Sequence, residues 1–481
     1  MAKDGFAVAG LAAAIAADYR QNPQRLHSLA GVEELRAGFD IGLPDIGRPS
    51  DQVIDHLVRA AGPGLVGNTQ PGFHGWVMGS SHPAGVAADW LTSAWGQNAA
   101  IYHTSPAAAV AEEISAKWLL DLLDLPRTAA VGFTSGATMA GFIGLAAARG
   151  EVLRRVGCDI AREGLQGAPL IKVFISDESH ASNFAALRYL GFGESNLVRI
   201  PTNAQGMMDV AALTEALGSG SNGIDRAPKI IICQAGHINS GAFDRFDAIA
   251  DLAGRSGAWL HIDGAFGLWA RAAPDLKMLA AGAERADSWG VDGHKWLQMP
   301  YENGFAIVSD PVALRRAMDI AAGYLTHSAD DGRNPTHFGP ELSRRARGFA
   351  VWTMLQTLGR HGIIEVIDNH CRAAKRLAGR LVDVPGVRVE NDVVLNQLAL
   401  TFGTENDESA QRDRATQAVC DRLNGTTNYF LRTAAWNART ILRVSVIGAG
   451  ATIMAMDKLA DDIRDAWCSF LAERHQGASC C

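Results

Sequence analysis

At 481 residues, 48% hydrophobic and 20% charged, the chain has ordinary globular composition, which excludes large-scale disorder and exceeds what one core can hold; two or three structural domains are expected. A formal net charge of −7 and a pI near 6.1 provide no broad basic surface, so no nucleic-acid partner is expected. The seven cysteines form no CxxC pair or regular ladder, so neither a metal site nor a disulfide framework is read from them, and Cys480 and Cys481 read as a frayed end.

In chain order, the alanine-rich stretch Ala7–Ala17 reads as an uncleaved helix rather than a leader, because Asp4 precedes it and Asp18 and Arg20 follow at once. No run reaches the roughly 18 apolar residues of a membrane helix, so no membrane partner and a cytoplasmic location are expected. Residues 1 to about 60 read as helices, with Pro44 and Pro49 in an extended link. The glycine-rich stretch Pro63–Gly85 carries Phe73, His74, Trp76 and His82, is too irregular for a packed helix, and suits the lining of a cleft.

Between 105 and 310, the apolar runs Ile171–Ile175, Lys229–Cys233, Trp259–Ile262 and Gly304–Val308 predict buried strands, with helices such as Phe243–Ser256 between them. That alternation marks an α/β domain with a mainly parallel sheet. A polar loop after about 325, helices around 341–382, strands near Val387 and over Leu395–Phe402, and a final helix from about 454 describe a smaller α+β domain. The expected division is 1–100, an N-terminal helical segment; 101–325, the large domain; and 326–481, the small domain.

Ligands of an open parallel sheet bind beyond the carboxyl ends of its strands, which directs attention to four segments. These are Gly132–Thr138, Ser176–His180, Asp263–Ala265 and Gly293–Trp296. The Ser135-Gly136-Ala137-Thr138 turn opens an alanine-rich helix, so it either cradles a phosphate on unpaired N–H groups or simply caps the helix through Ser135 or Thr138. No dinucleotide fingerprint is present, since Gly448 and Gly450 lack the third glycine. A carboxylate, Asp263, placed 32 residues before Lys295 and downstream of that turn fits pyridoxal-phosphate (PLP) chemistry, in which a lysine forms an imine and an aspartate partners the pyridinium nitrogen.

These segments, with Ala286–Trp289 leading into His294-Lys295-Trp296 and the run Ser343–Gly348, resemble the group II PLP-dependent decarboxylases of fold type I, over about residues 65–450. The resemblance implies a large domain with a mainly parallel seven-stranded sheet, a smaller C-terminal domain, and a homodimer. It makes Lys295 the residue that bonds the cofactor, Asp263 the partner of the ring nitrogen, His180 the residue stacked on the ring, and Ala265 the contact on its other face. Gly136, Ala137 and Thr138 would bind the phosphate, with His294 assisting. Trp76, Met78, His82, Tyr102 and His103 would line a pocket for an aromatic or medium-sized amino acid. Arg347 would lie near the site or serve an ion pair.

Three departures from the family pattern bear on the outcome. Asp292 stands where many members have Asn. His237 stands where many have Thr, and is either an acid, base or carboxylate ligand or a structural histidine. The stretch Thr326–Pro340 lacks the tyrosine usual in amine-forming relatives, leaving His327 and His337 as donors and Tyr324 just before it. The expected reaction is decarboxylation of an L-amino acid to amine and carbon dioxide. The alternatives are a PLP lyase or aldolase, a decarboxylating aldehyde synthase, and a non-catalytic PLP-binding protein.

Overall fold

The computed structural model describes residues 6–218, 227–320 and 332–478. Its large sheet contains β1 (Ala130–Thr134), β2 (Lys172–Ser176), β3 (Leu197–Ile200), β4 (Lys229–Gln234), β5 (Trp259–Asp263), β6 (Ser288–Asp292) and β7 (Gly304–Val308). The spatial order is β1-β7-β6-β5-β4-β2-β3, and only β7 runs against its neighbours. The four predicted strands are present, each within a residue or so of its expected ends.

Helices on both faces explain the unbroken apolar runs. All six residues of β4, Lys-Ile-Ile-Ile-Cys-Gln, are buried, as a strand covered on both sides requires. Helix Ala137–Arg154 approaches β6 so closely that a Cβ on Gly290 would lie 3.4 Å from the Gly141 nitrogen. Six strands share one direction, so Thr134, Ser176, Gln234, Asp263 and Asp292 end on one edge of the sheet.

A second sheet, order β10-β11-β9-β8, is wholly antiparallel: β8 (Val387–Val389), β9 (Gln397–Phe402), β10 (Arg432–Trp436) and β11 (Arg439–Ser445). Helices Ser409–Gly425 and Ile453–Ala478 accompany it. The helices expected around 341–382 form one element, Arg347–Leu381, broken at Gly359, where φ is 59° and ψ 179°. Its residues Ala350–Cys371 pack into the large sheet's core and Ala373–Leu381 into the small sheet's. Pro83–Gly85, assigned from sequence to an irregular stretch, instead open helix Pro83–Trp95, because the Nδ1 of His82 accepts the Ala84 N–H.

Three enclosed histidines set an acid limit on the fold. His370 accepts the Trp296 indole N–H at 2.9 Å and donates to the Gly448 carbonyl at 3.0 Å; His261 lies 2.8 Å from Ser288 Oγ; His74 lies against the Ser445 carbonyl. Burial lowers each pKa to about 4. The unfolded chain takes up these protons near pH 6.5 while the fold refuses them until about pH 4, so their stabilisation is complete above pH 6.5 and is lost as pH falls toward 4. Asp244, raised to about 6 by burial, acts in the opposite sense, as do Asp287 and Asp368, which burial also raises. The urea midpoint is expected to drop by a large fraction between pH 7.5 and 5, each histidine contributing up to about 2 kcal/mol. An unchanged midpoint would show that these rings are not neutral and enclosed.

Candidate active site

Lys295 lies three residues beyond β6. Its Nζ is 2.8 Å from Asp292 Oδ2 and 5.9 Å from the centroid of the Phe266 ring. Asp292 Oδ1 accepts the Ala137 N–H at 2.5 Å, so the end of β6 is joined to the start of helix Ala137–Arg154. That helix has Gly136 at its N-cap position, with no side chain to offer, and neither Ser135 nor Thr138 takes the capping role that sequence left open. Gly136 has φ 157°, a region open essentially to glycine alone, and a Cβ there would lie 3.0 Å from His294 Cε1 and 3.1 Å from Asp292 Oδ1. Thr138 is exposed in the first turn.

His294 faces the same turn. Its Nδ1 accepts the Asn303 N–H at 3.2 Å, its Nε2 is 3.4 Å from Asp292 Oδ1, and its ring lies 4.5 Å from that of Tyr301. Burial lowers its pKa.

Asp263 ends β5, paired in register with Gly290 of β6 and Gln234 of β4. Its Oδ2 accepts Asn183 Nδ2 at 2.9 Å and its Oδ1 accepts the Ala265 N–H at 3.1 Å. The Ala265 carbonyl in turn accepts the Asp292 N–H at 3.0 Å, which stitches the turn after β5 to the end of β6. His180 caps helix Ala181–Tyr189 with an exposed ring whose Nδ1 is 2.7 Å from Ser182 Oγ, and its backbone N–H donates to Gln234 Oε1.

These residues fit PLP. A half-buried amine, a carboxylate fixed at both oxygens on the adjoining strand end, and a glycine turn that a Cβ would fill, at the positive end of an 18-residue helix, match the cofactor's aldehyde, ring nitrogen and phosphate.

The remaining candidates are dispersed. A Cβ on Gly79 would lie 2.2 Å from the Lys295 carbonyl, so the segment from Trp76 to His82 runs beside the lysine backbone. Within it Met78 is half-buried, His82 serves as a helix cap, and Trp76 is 48% exposed, 5.4 Å from Phe430. The Tyr102 N–H donates to Asn334 Oδ1, and its ring meets that of His103 at 6.1 Å. Arg347 is buried between Glu302 at 2.6 Å and Glu341 at 3.1 Å, the ion-pair arrangement. His337 lies 3.6 Å from Asp319 and packs beside Phe338. Tyr324 and His327 lie outside the described residues.

His237 is enclosed. Its Nε2 is 3.0 Å from Glu178 Oε2 and its Nδ1 is 3.2 Å from Ser240 Oγ, so protein groups face both nitrogens. Glu178 also accepts the Trp436 indole N–H at 2.8 Å and the Thr202 hydroxyl at 3.0 Å, and these bonds, that of His237 foremost, hold its pKa down. The loop bearing His180 is thereby pinned to β10 of the small sheet. Sequence reasoning missed Glu178, Gln234 and Asn183 because each acts on a residue that only the fold brings near; the signal available for Glu178 and Gln234 was their position at or just after a strand end, while Asn183 lies inside helix Ala181–Tyr189.

A crystal structure of Oryza sativa TDC with PLP and tryptamine superposes with a TM-score of 0.90 at 23% identity, covering 98% of this chain and 99% of that one. The fold is therefore that of a type I PLP-dependent enzyme. The pyridoxal-dependent decarboxylase conserved domain matches residues 33–399. Tryptophan decarboxylase 1 from Oryza sativa subsp. japonica is 28% identical over 459 residues, 89% of this chain and 87% of that protein. Phenylacetaldehyde synthase from Arabidopsis thaliana is 24% identical over 421 residues, 85% and 84% of the two chains. The chain belongs to the pyridoxal-dependent decarboxylase family and is a PLP-dependent amino-acid decarboxylase.

Proposed function

We propose that the protein converts an aromatic or medium-sized L-amino acid to its amine and carbon dioxide at the carboxyl edge of the large sheet. The observation that carries this reading is the convergence there of Lys295, the doubly fixed Asp263 and the Gly136 turn. When bound, PLP supplies an aldehyde for the substrate amine and an electron-poor ring that accepts the electron pair left by departing carbon dioxide.

The chain's own groups divide the remaining tasks. Lys295 holds the cofactor and yields to the incoming amine. Asp263, kept from turning by Asn183 and Ala265, is an anion that keeps the ring nitrogen protonated. His180 would cover one ring face and Ala265 the other, while Gly136, Ala137, Thr138 and His294 would hold the phosphate. His237 is a positioning residue, acting on the His180 loop through Glu178. His337, from the stretch that lacks the tyrosine, would be the proton donor. Trp76 and Met78, in the segment beside the Lys295 backbone, favour an aromatic substrate, as does the tryptophan decarboxylase relative.

A panel of L-amino acids assayed for carbon dioxide, amine, aldehyde and hydrogen peroxide tests this. Equimolar amine and carbon dioxide from Trp, Tyr or Phe, without peroxide, is expected. Aldehyde with peroxide would instead support the aldehyde-synthase reading, which the phenylacetaldehyde synthase relative and the missing tyrosine in Thr326–Pro340 favour. Turnover without carbon dioxide would defeat both.

The homodimer has a separate support. Leu43 (98% exposed), Ile46 (85%), Leu29 (64%) and Val32 (61%) stand out on the N-terminal segment, where helices Ala7–Gln21 and Ser50–Ala61 also flank an apolar groove of about 560 Å³. So much uncovered apolar surface suits a second copy of the chain. Sedimentation at micromolar concentration is expected to give twice the 51.1 kDa chain mass; a monomer would contradict this.

A further inference from the structure

Asp292 occupies donors that a phosphate at the Gly136 turn would use. It is 3% exposed, yet its carboxylate is in contact with the Ala137 N–H (2.5 Å), Lys295 Nζ (2.8 Å) and His294 Nε2 (3.4 Å). The other titratable group facing it is Tyr301, whose phenol is pushed up to about 12, by burial first and by the Asp292 charge second. The carboxylate and the space over Gly136 adjoin, since a Cβ there would come within 3.1 Å of Oδ1. A phosphate and this carboxylate are therefore like charges drawing on one helix N-terminus and on the His294 ring, at short range and away from bulk water.

We infer that Asp292 sets how strongly the protein prefers the phosphorylated cofactor to its dephosphorylated form, pyridoxal. The carboxylate also holds the Lys295 amine that bonds the aldehyde, but does so for both ligands alike, so its charge alters the ratio through the phosphate alone. The inference rests on the reading that Gly136–Thr138 receive the phosphate.

The test strips full-length protein of cofactor and titrates it with PLP and with pyridoxal, following the visible absorbance gained when either bonds to the protein. In Asp292→Asn the ratio of the pyridoxal Kd to the PLP Kd is expected to rise about tenfold or more, through tighter PLP binding. Asp292→Ser, smaller and equally neutral, is expected to move the ratio the same way, which guards against one variant failing to fold. A merely structural role would shift both constants together; an unchanged or lowered ratio overturns the inference. Inorganic phosphate added to wild-type protein should compete with PLP but not with pyridoxal. If it competes with neither, the placement of the phosphate fails, whatever the Asp292 variants show.

Discussion

Lys295→Ala is expected to lower carbon dioxide release by about 10³-fold or more and to remove the visible absorbance of the bound cofactor. Lys295 lies between the two halves of the site: its amine is 2.8 Å from Asp292, which holds the helix bearing the Gly136 turn, and 5.9 Å from the Phe266 ring beyond the Asp263 turn. An alanine leaves no amine to bond the aldehyde or to yield to the substrate. Because Lys295 is partly open at the surface of the site, the variant should unfold at nearly the wild-type denaturant midpoint, separating lost chemistry from lost fold. Activity within tenfold of wild type would place the attachment elsewhere.

Asp263→Asn is expected to keep the absorbance but cut turnover by about 10²- to 10³-fold. The substitution retains the shape of a side chain locked between Asn183 Nδ2 and the Ala265 N–H, and removes the negative charge that keeps the ring nitrogen protonated. The discriminating quantities are kcat and KM, measured separately: the loss should fall on kcat, because the charge matters most as electrons flow into the ring. A loss confined to KM would mean that Asp263 only helps binding.

The sheet was legible because its inner strands are buried on both faces, which writes them as unbroken apolar runs such as Lys229–Gln234. β6 was less visible as a strand, since Gly290 interrupts the run Ser288–Asp292 where a helix packs close. Helix Ser409–Gly425 and the hairpin β10–β11 were missed, the helix because eight of its seventeen positions are Arg, Asp, Gln or Asn, and the hairpin because most of β10 is only half-covered. At the site, residue types with intrinsic chemistry at strand ends, Lys295, Asp263, His180 and His294, could be found from local pattern. Their supports could not: Asn183 reaches Asp263 across 80 positions and Asp292 reaches Ala137 across 155. Arg347 and His237 show the converse difficulty, because a charged or titratable residue near a motif reads as chemistry until its partners, Glu302, Glu341 and Glu178, are seen around it.

The attachment of the cofactor can be read directly by reducing the holoenzyme with borohydride, digesting it, and locating the modified peptide by mass spectrometry. A pyridoxyl-phosphate adduct on Lys295 is the result required here. An adduct on any other lysine, or none at all in protein that turns over substrate, would contradict the assignment of the active site.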